Sequence, residues 1–206
     1  MFDTHLRKHI NPGLNRMGAA LARKGASAQT VTLAGLGLGL IAAVLVALGH
    51  AYWALAFVLL SRLADGLDGA VARATRMTDF GGYLDILADF TFYGAMPMGF
   101  VLLDPAGNAV AGAFLLLAFF VNGSSFLGFA VIAEKRLPGT DAHGAKNLYY
   151  SSGLIEGGET IGFLLLACLL PAAFPPLALL MGALCLLTAL QRVLVARRLL
   201  DGSPEN

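Results

Sequence analysis

Asp65, Asp68, Asp85 and Asp89 are the residues around which chemistry is most readily built. They lie in the stretch DGLDGAVARATRMTDFGGYLDILADF (residues 65–90), where five aspartates and two arginines interrupt an otherwise apolar chain. Asp65 and Asp68 are three residues apart and Asp85 and Asp89 four, so on helices each pair shares a face. A carboxylate inside hydrocarbon is costly and normally faces a partner or a cavity. Four of them together repel unless protonated or neutralised by cations. Hard divalent ions with oxygen ligands suit that task, and two ions roughly 3.5–4 Å apart can bridge phosphate oxygens in an in-line displacement. Gly66, Gly69, Gly81 and Gly82 share the stretch, and glycine lets a bulky ligand approach a helix backbone closely. Ala72 extends the small-residue face, and Arg73 is suited to a phosphate. The competing reading is that the acids simply pair with Arg62, Arg73 and Arg76, which leaves the glycines without a reason.

The elements that must position these side chains are membrane helices. Of 206 residues, 57% are hydrophobic and 13% charged, against about 25% charge in a soluble domain. Mean hydropathy is +0.73. An all-α integral membrane protein of one membrane domain is expected, with no nucleic-acid partner. A span needs roughly 20 apolar residues. Six are expected: Thr30–Gly49, Ala51–Arg73, Phe80–Leu103, Ala109–Ala133, about Tyr149–Leu170, and Leu177–Arg197. The 14 Lys and Arg fall before span 1, around spans 2–3, between spans 4 and 5, or late in span 6. The turns near His50, Asp104 and Pro171–Pro176 have none. By the positive-inside rule both termini, and the aspartate cluster, are cytoplasmic.

No cleavable signal is expected in residues 1–24, which lack a continuous apolar core. Phe2, Leu6, Ile10, Leu14, Met17 and Leu21 recur every three or four residues instead, with Arg7, Lys8, Arg16, Arg23 and Lys24 between them. This spacing predicts an amphipathic interfacial helix, bent or broken at Pro12-Gly13. The organisation is thus an interfacial segment (1–24), a six-helix domain (25–200) and a short tail (201–206). Gly35 and Gly39 form a small-xxx-small pair for helix packing, with no preceding strand to make a nucleotide loop. Cys168 and Cys185, each in an apolar run, read as packing residues.

Residues 65–89 read Asp65-x2-Asp68-Gly69-x2-Ala72-Arg73-x7-Gly81-x3-Asp85-x3-Asp89. This resembles the hallmark of the CDP-alcohol phosphotransferases (CDP-alcohol phosphatidyltransferases), membrane enzymes of phospholipid biosynthesis. Their six-span topology and amphipathic N-terminal helix are also similar. The resemblance implies transfer of a substituted phosphate from a CDP-linked lipid donor, usually CDP-diacylglycerol, to an alcohol, with release of CMP. It implies two Mg²⁺ or Mn²⁺ ions held by Asp65, Asp68, Asp85 and Asp89, with Asp89 also the general base. Gly69, Ala72, Arg73 and Gly81 would cradle the cytidine diphosphate with Asp68. Location in a bacterial-type inner membrane and homodimerisation are implied as well. Two departures stand out. Many members have eight residues between the arginine and the next glycine, and this chain has seven. Many begin span 1 with Pro-Asn-x-x-Thr; here Ala28-Gln29-Thr30-Val31-Thr32 lacks the Pro-Asn pair, leaving Thr32 as the nucleotide candidate.

An acceptor bearing a phosphate, such as glycerol 3-phosphate or inositol phosphate, needs basic partners. Lys135, Arg136, Lys146 and Arg192 lie on the expected face, Arg192 deepest. In GLIEGGETIG (153–162), Glu156 and Glu159 share a face inside span 5. They suit acceptor hydroxyls or a cationic head group, or equally an ion pair with Lys146 or Arg192. Two rival classes remain. A magnesium-dependent membrane prenyltransferase resembles a longer architecture with two separate Asp-rich motifs. A cation transporter would place its acids near the midplane on repeated, interrupted helices.

Overall fold

The structure, a computed structural model, describes residues 2–136, 155 and 157–201. All regular structure among them is helical. In chain order the helices are α1 (Phe2–Arg23), α2 (Ala28–Ala47), α3 (Ala51–Ala74), α4 (Asp79–Leu103), α5 (Pro105–Arg136), α6 (Gly157–Leu169) and α7 (Phe174–Asp201), with a 3₁₀ turn at Pro171–Ala173 before α7.

Local chemistry sets the boundaries. Ser27 caps α2 by accepting from the Thr30 amide at 3.1 Å, and Thr78 caps α4 by accepting from the Gly81 amide at 3.1 Å. Gly49 takes φ 82° after α2, and the His50 amide reaches back to the Leu45 carbonyl at 2.8 Å. That closure ends the helix and turns the chain within three residues. Pro175 and Pro176, expected in a turn before span 6, instead occupy the first turn of α7. No backbone N–H is needed there.

Four helical stretches are long and apolar enough to cross a membrane: Ala28–Ala47, Asp79–Leu103, Pro105–Ile132 and Pro171–Arg198. α3 falls outside that set because Arg62, Asp65, Asp68 and Arg73 crowd its second half. α6 is a shorter apolar helix. The side chains Trp53, Val110 and Phe120 are 71%, 83% and 72% exposed, an outward apolar surface consistent with integral membrane placement.

α1 runs through Pro12 as one continuous helix, so the chain is not broken there. Pro12 is exposed, so the carbonyl that loses its donor can be hydrated. The helix is also more than an interfacial float. Leu14 packs on Gly66 of α3, and a Cβ at Gly18 would stand 2.8 Å from the Ala70 backbone carbon.

The core lies between α2, α4, α5, α6 and α7. Phe92, Met96 and Phe100 of α4 meet Leu115, Leu164, Cys168, Phe174 and Cys185 there, all fully buried. Phe100 and Phe174 stack with centroids 4.4 Å apart and planes 7° from parallel. Both cysteines are free and buried, as packing residues should be. α2 crosses its neighbours on small residues. A Cβ at Gly35 would lie 3.0 Å from Ala64 Cβ, and one at Gly99 of α4 would lie 2.5 Å from the Ala43 carbonyl oxygen. Such close crossings bring backbones into contact where no hydrophobic drive separates lipid from protein.

Candidate active site

The turn 75–78 joins α3 to α4; both pack extensively on α2 and hardly on each other, yet the long Arg62 side chain brings their acidic faces together. The seven-residue spacing between Arg73 and Gly81 contains this turn, where a one-residue deletion changes no helix register. Asp65 and Asp68 come from the last three turns of α3, Asp85 and Asp89 from the first three of α4. All four interact electrostatically: Asp65 with Asp85 and Asp89, and Asp68 with Asp85 and Asp89.

Arg62 lies in their midst. Its Nη1 donates to Asp89 Oδ1 at 2.7 Å and stands 3.5 Å from Asp65 Oδ1. One guanidinium thus joins an acid from each helix. Its Nη2 donates to Ser61 Oγ at 3.2 Å, and its Cζ lies 4.0 Å from the centroid of the Phe92 ring. Charge-assisted bonds and a cation–π contact in a site 11% exposed fix this side chain. Nε, in contrast, is buried without a partner.

Asp68 is the most buried of the four acids, 6% exposed. The Thr32 hydroxyl donates to its Oδ2 at 2.6 Å. The threonine expected to meet nucleotide therefore holds an acid. Its own position comes from α2, whose fully buried face is pinned to α3 by Ser61 Oγ donating to the Gly35 carbonyl at 2.7 Å.

The glycines divide. Gly66 serves helix packing, since Leu14 occupies the space where its side chain would be; this corrects its reading as a ligand approach. A Cβ at Gly69 would meet Arg73 Nη1 at 3.2 Å, one at Gly81 would meet the capping Thr78 Oγ1 at 3.0 Å, and Gly82 faces open space. Gly69, Ala72 and Gly81 are partly open beside exposed Arg73. Arg73 Nη2 donates to Asn15 Oδ1 of α1 at 3.0 Å, so Arg73 turns away from the acids. Of the three arginines offered as partners for the acids, Arg62 fills that role and Arg73 does not.

The other basic and acidic candidates come from α5, α6 and α7. Arg192, 7% exposed, donates through Nη1 to the Asn122 carbonyl and Asn122 Oδ1, both at 3.1 Å, and to Ser125 Oγ at 2.7 Å. It clamps α7 to α5. Lys135 and Arg136 close α5. Glu159 sits in the first turn of α6, where its charge complements the helix dipole. Glu156 and Lys146 lie outside the described residues.

Sequence reasoning underrated Arg62 and missed Asn15. An arginine inside a span is itself a signal, and Arg62 lies one turn before Asp65. Nothing local marks Asn15; its role depends on how α1 docks.

The donor set is all oxygen, four carboxylates in mutual range on two consecutive helices, which suits a hard divalent cation. As they stand, no three acid, histidine or cysteine side chains among the described residues converge as ligands of one ion. Arg62 and Thr32 hold the carboxylates instead.

The sequence profile of CDP-alcohol phosphatidyltransferase matches residues 26–196. Inner membrane protein YnjF of Escherichia coli (strain K12) is 46% identical over 193 residues, 94% of each chain. Phosphatidylinositol phosphate synthase of Mycobacteroides abscessus is 39% identical over 89 residues, 42% of this chain and 40% of that one. The fold matches the crystal structure of Mycobacterium tuberculosis phosphatidylinositol phosphate synthase with CDP-DAG bound, at TM-score 0.73 and 22% identity, over 89% of this chain and 93% of the other. With its profile covering the helices that carry the four aspartates, the chain belongs to the CDP-alcohol phosphatidyltransferase family.

Proposed function

We propose that the protein transfers a phosphatidyl group from CDP-diacylglycerol to an alcohol acceptor and releases CMP. The reading rests on one observation above the rest: acids of α3 and α4 meet on one guanidinium, Asp65 and Asp89 on Arg62, within the segment that matches the family. The donor is supported by the CDP-DAG in the mycobacterial structure of the same fold.

In the reaction the acceptor oxygen attacks the phosphorus bearing the diacylglycerol. The bond from that phosphorus to the bridging oxygen breaks, and CMP leaves with the electron pair. Asp89 takes the proton from the acceptor hydroxyl, a step for which its place at the acidic face suits it. Asp65, Asp68, Asp85 and Asp89 are the residues that would hold Mg²⁺ or Mn²⁺. Bound there, the ions would neutralise the diphosphate and stabilise charge on the leaving CMP. Thr32 aims Asp68. Gly69, Ala72 and Gly81 leave room for the nucleotide beside α3 and α4, and Arg73, steadied by Asn15, pairs with its phosphates.

The distribution of Lys and Arg supports six spans, cytoplasmic termini and an active site at the cytoplasmic face. For an acceptor that carries a phosphate, as glycerol 3-phosphate and inositol phosphate do, Arg192 is the first candidate partner. Lys135, Arg136, Glu156 and Glu159 are further acceptor candidates, and a homodimer is expected from the family likeness. Nothing in the family match favours a prenyltransferase or a cation transporter.

The test is CMP release by purified protein from CDP-diacylglycerol with Mg²⁺ or Mn²⁺, across glycerol 3-phosphate, inositol phosphate, serine and unphosphorylated alcohols. Acceptor-dependent CMP that disappears in Asp89→Asn supports the reading and names the alcohol. No CMP with any acceptor, together with no binding of CDP-diacylglycerol, refutes it.

A further inference from the structure

Arg62 is the residue the proposed reaction does not use, and its setting is unusual. A guanidinium carries five N–H groups and keeps its charge throughout. Here it lies, 11% exposed, among the acids and spans Asp65 and Asp89, the latter at 2.7 Å. A purely structural arginine of this kind satisfies its donors, as buried polar groups do in general. Arg62 leaves Nε without a partner. On its other side lie the face of Phe92 at 4.0 Å, the ring of Tyr93 at 5.9 Å and one longer bond to Ser61 Oγ at 3.2 Å.

The carboxylate oxygens that Arg62 engages belong to two of the four residues suited to a divalent cation. A guanidinium and a divalent ion on the same carboxylates would repel each other at short range, although Asp65 and Asp89 are partly exposed. We infer that Arg62 is a built-in counter-ion: it holds Asp65 and Asp89 in the ion-free protein and competes with the divalent cation for them. The inference rests on the metal-site reading above. Arg62 is on this view a positioning residue. It keeps two acids on consecutive helices from repelling each other while the site waits for its cation, and it sets how much cation is needed to open the site.

The experiment is Mn²⁺ binding to the full chain in nanodiscs without donor or acceptor, followed by calorimetry and by the spin-resonance signal of free Mn²⁺. Arg62→Met is compared with the unaltered protein. The expected result is Mn²⁺ affinity raised roughly tenfold or more, the equivalent of one charge-assisted hydrogen bond. The variant should also unfold at lower temperature without the ion, with the gap closing as Mn²⁺ is added. Equal or weaker Mn²⁺ binding in the variant overturns the inference, since a residue that merely supports the ligands would weaken the site when removed. If Arg62→Met does not fold, Arg62→Lys and the unaltered protein decide. Lysine, without the fork, should bind Mn²⁺ more tightly than arginine does. In the unaltered protein, phenylglyoxal labelling of Arg62 read by peptide mass spectrometry should rise with Mn²⁺. Failure of both to change overturns the inference. Absence of Mn²⁺ binding by a folded, unaltered protein overturns the metal-site reading itself, and is thereby distinguished from failure of the Arg62 inference alone.

Discussion

The ring of Phe92 on α4 fills the space that Gly39 on α2 leaves open. A Cβ at position 39 would stand 2.6 Å from Phe92 Cδ2 and 3.0 Å from Ser61 Oγ. Both residues it would strike are the ones against which Arg62 lies. A glycine on one helix thereby sets the position of a charged side chain on a second and of an acid on a third. Gly39→Ala is expected to overpack this crossing at a cost of about 1–3 kcal/mol. Thermal unfolding in detergent should register it, and turnover should fall with it because Arg62 and Asp89 shift together. An unchanged unfolding temperature would mean that α2 and α4 part easily there.

Thr32 and Asp68 make the next prediction. Thr32→Val removes the donor to a buried carboxylate without changing shape, leaving that acid short of a partner at a cost of about 1–3 kcal/mol. Stability should fall and the donor KM should rise. Thr32→Ser, which keeps the hydroxyl, should restore most of both. Failure of serine to restore either would assign the effect to the methyl group.

Much of this site was legible before any coordinates, and the reason is spacing. Intervals of three and four residues place acids on one helix face whatever the tertiary structure. The boundaries of α2, α3 and α4 followed from apolar length to within two residues. What was not legible depended on docking. Gly66 and Gly69 look alike in sequence, yet Leu14 covers one while the other stays partly open. Arg73 reads as a partner for acids until α1 presents Asn15 to it. Thr32 stood out through the family motif, but its bond to Asp68 depends on how α2 packs on α3.

Asp89→Asn keeps volume and removes the proposed base. Turnover is expected to drop about 10²–10⁴-fold, while CDP-diacylglycerol binding, measured by filter retention, stays close to that of the unaltered protein. Normal turnover would remove Asp89 as the base.

Asn15→Ala tests the hand that steadies Arg73. Asn15 is exposed, so stability should change by only about 0.5 kcal/mol. The donor KM should rise several-fold with kcat little affected, because the arginine must then be ordered by the substrate itself. An unchanged donor KM would leave the contact without a role in binding.

Arg192→Met removes three hydrogen bonds between α7 and α5. It is expected to lower the unfolding temperature with every acceptor alike. If the acceptor carries a phosphate that Arg192 also meets, KM for that acceptor should rise while donor KM does not. A stability loss with an unaltered acceptor profile would confine Arg192 to clamping the helices.

The charges of α3 have a consequence for how the chain enters the bilayer. An arginine or aspartate at a helix centre opposes insertion by about 2.5–3.5 kcal/mol, and α3 carries Arg62, Asp65 and Asp68 in succession. The groups that satisfy them lie on both sides in sequence: Thr32 on α2, already made, and Asp89 on α4, still to come. α3 is therefore a poor passenger alone. Its charges are satisfied only in the company of both neighbours in sequence, so the acid-bearing helix depends on α2 and α4 together.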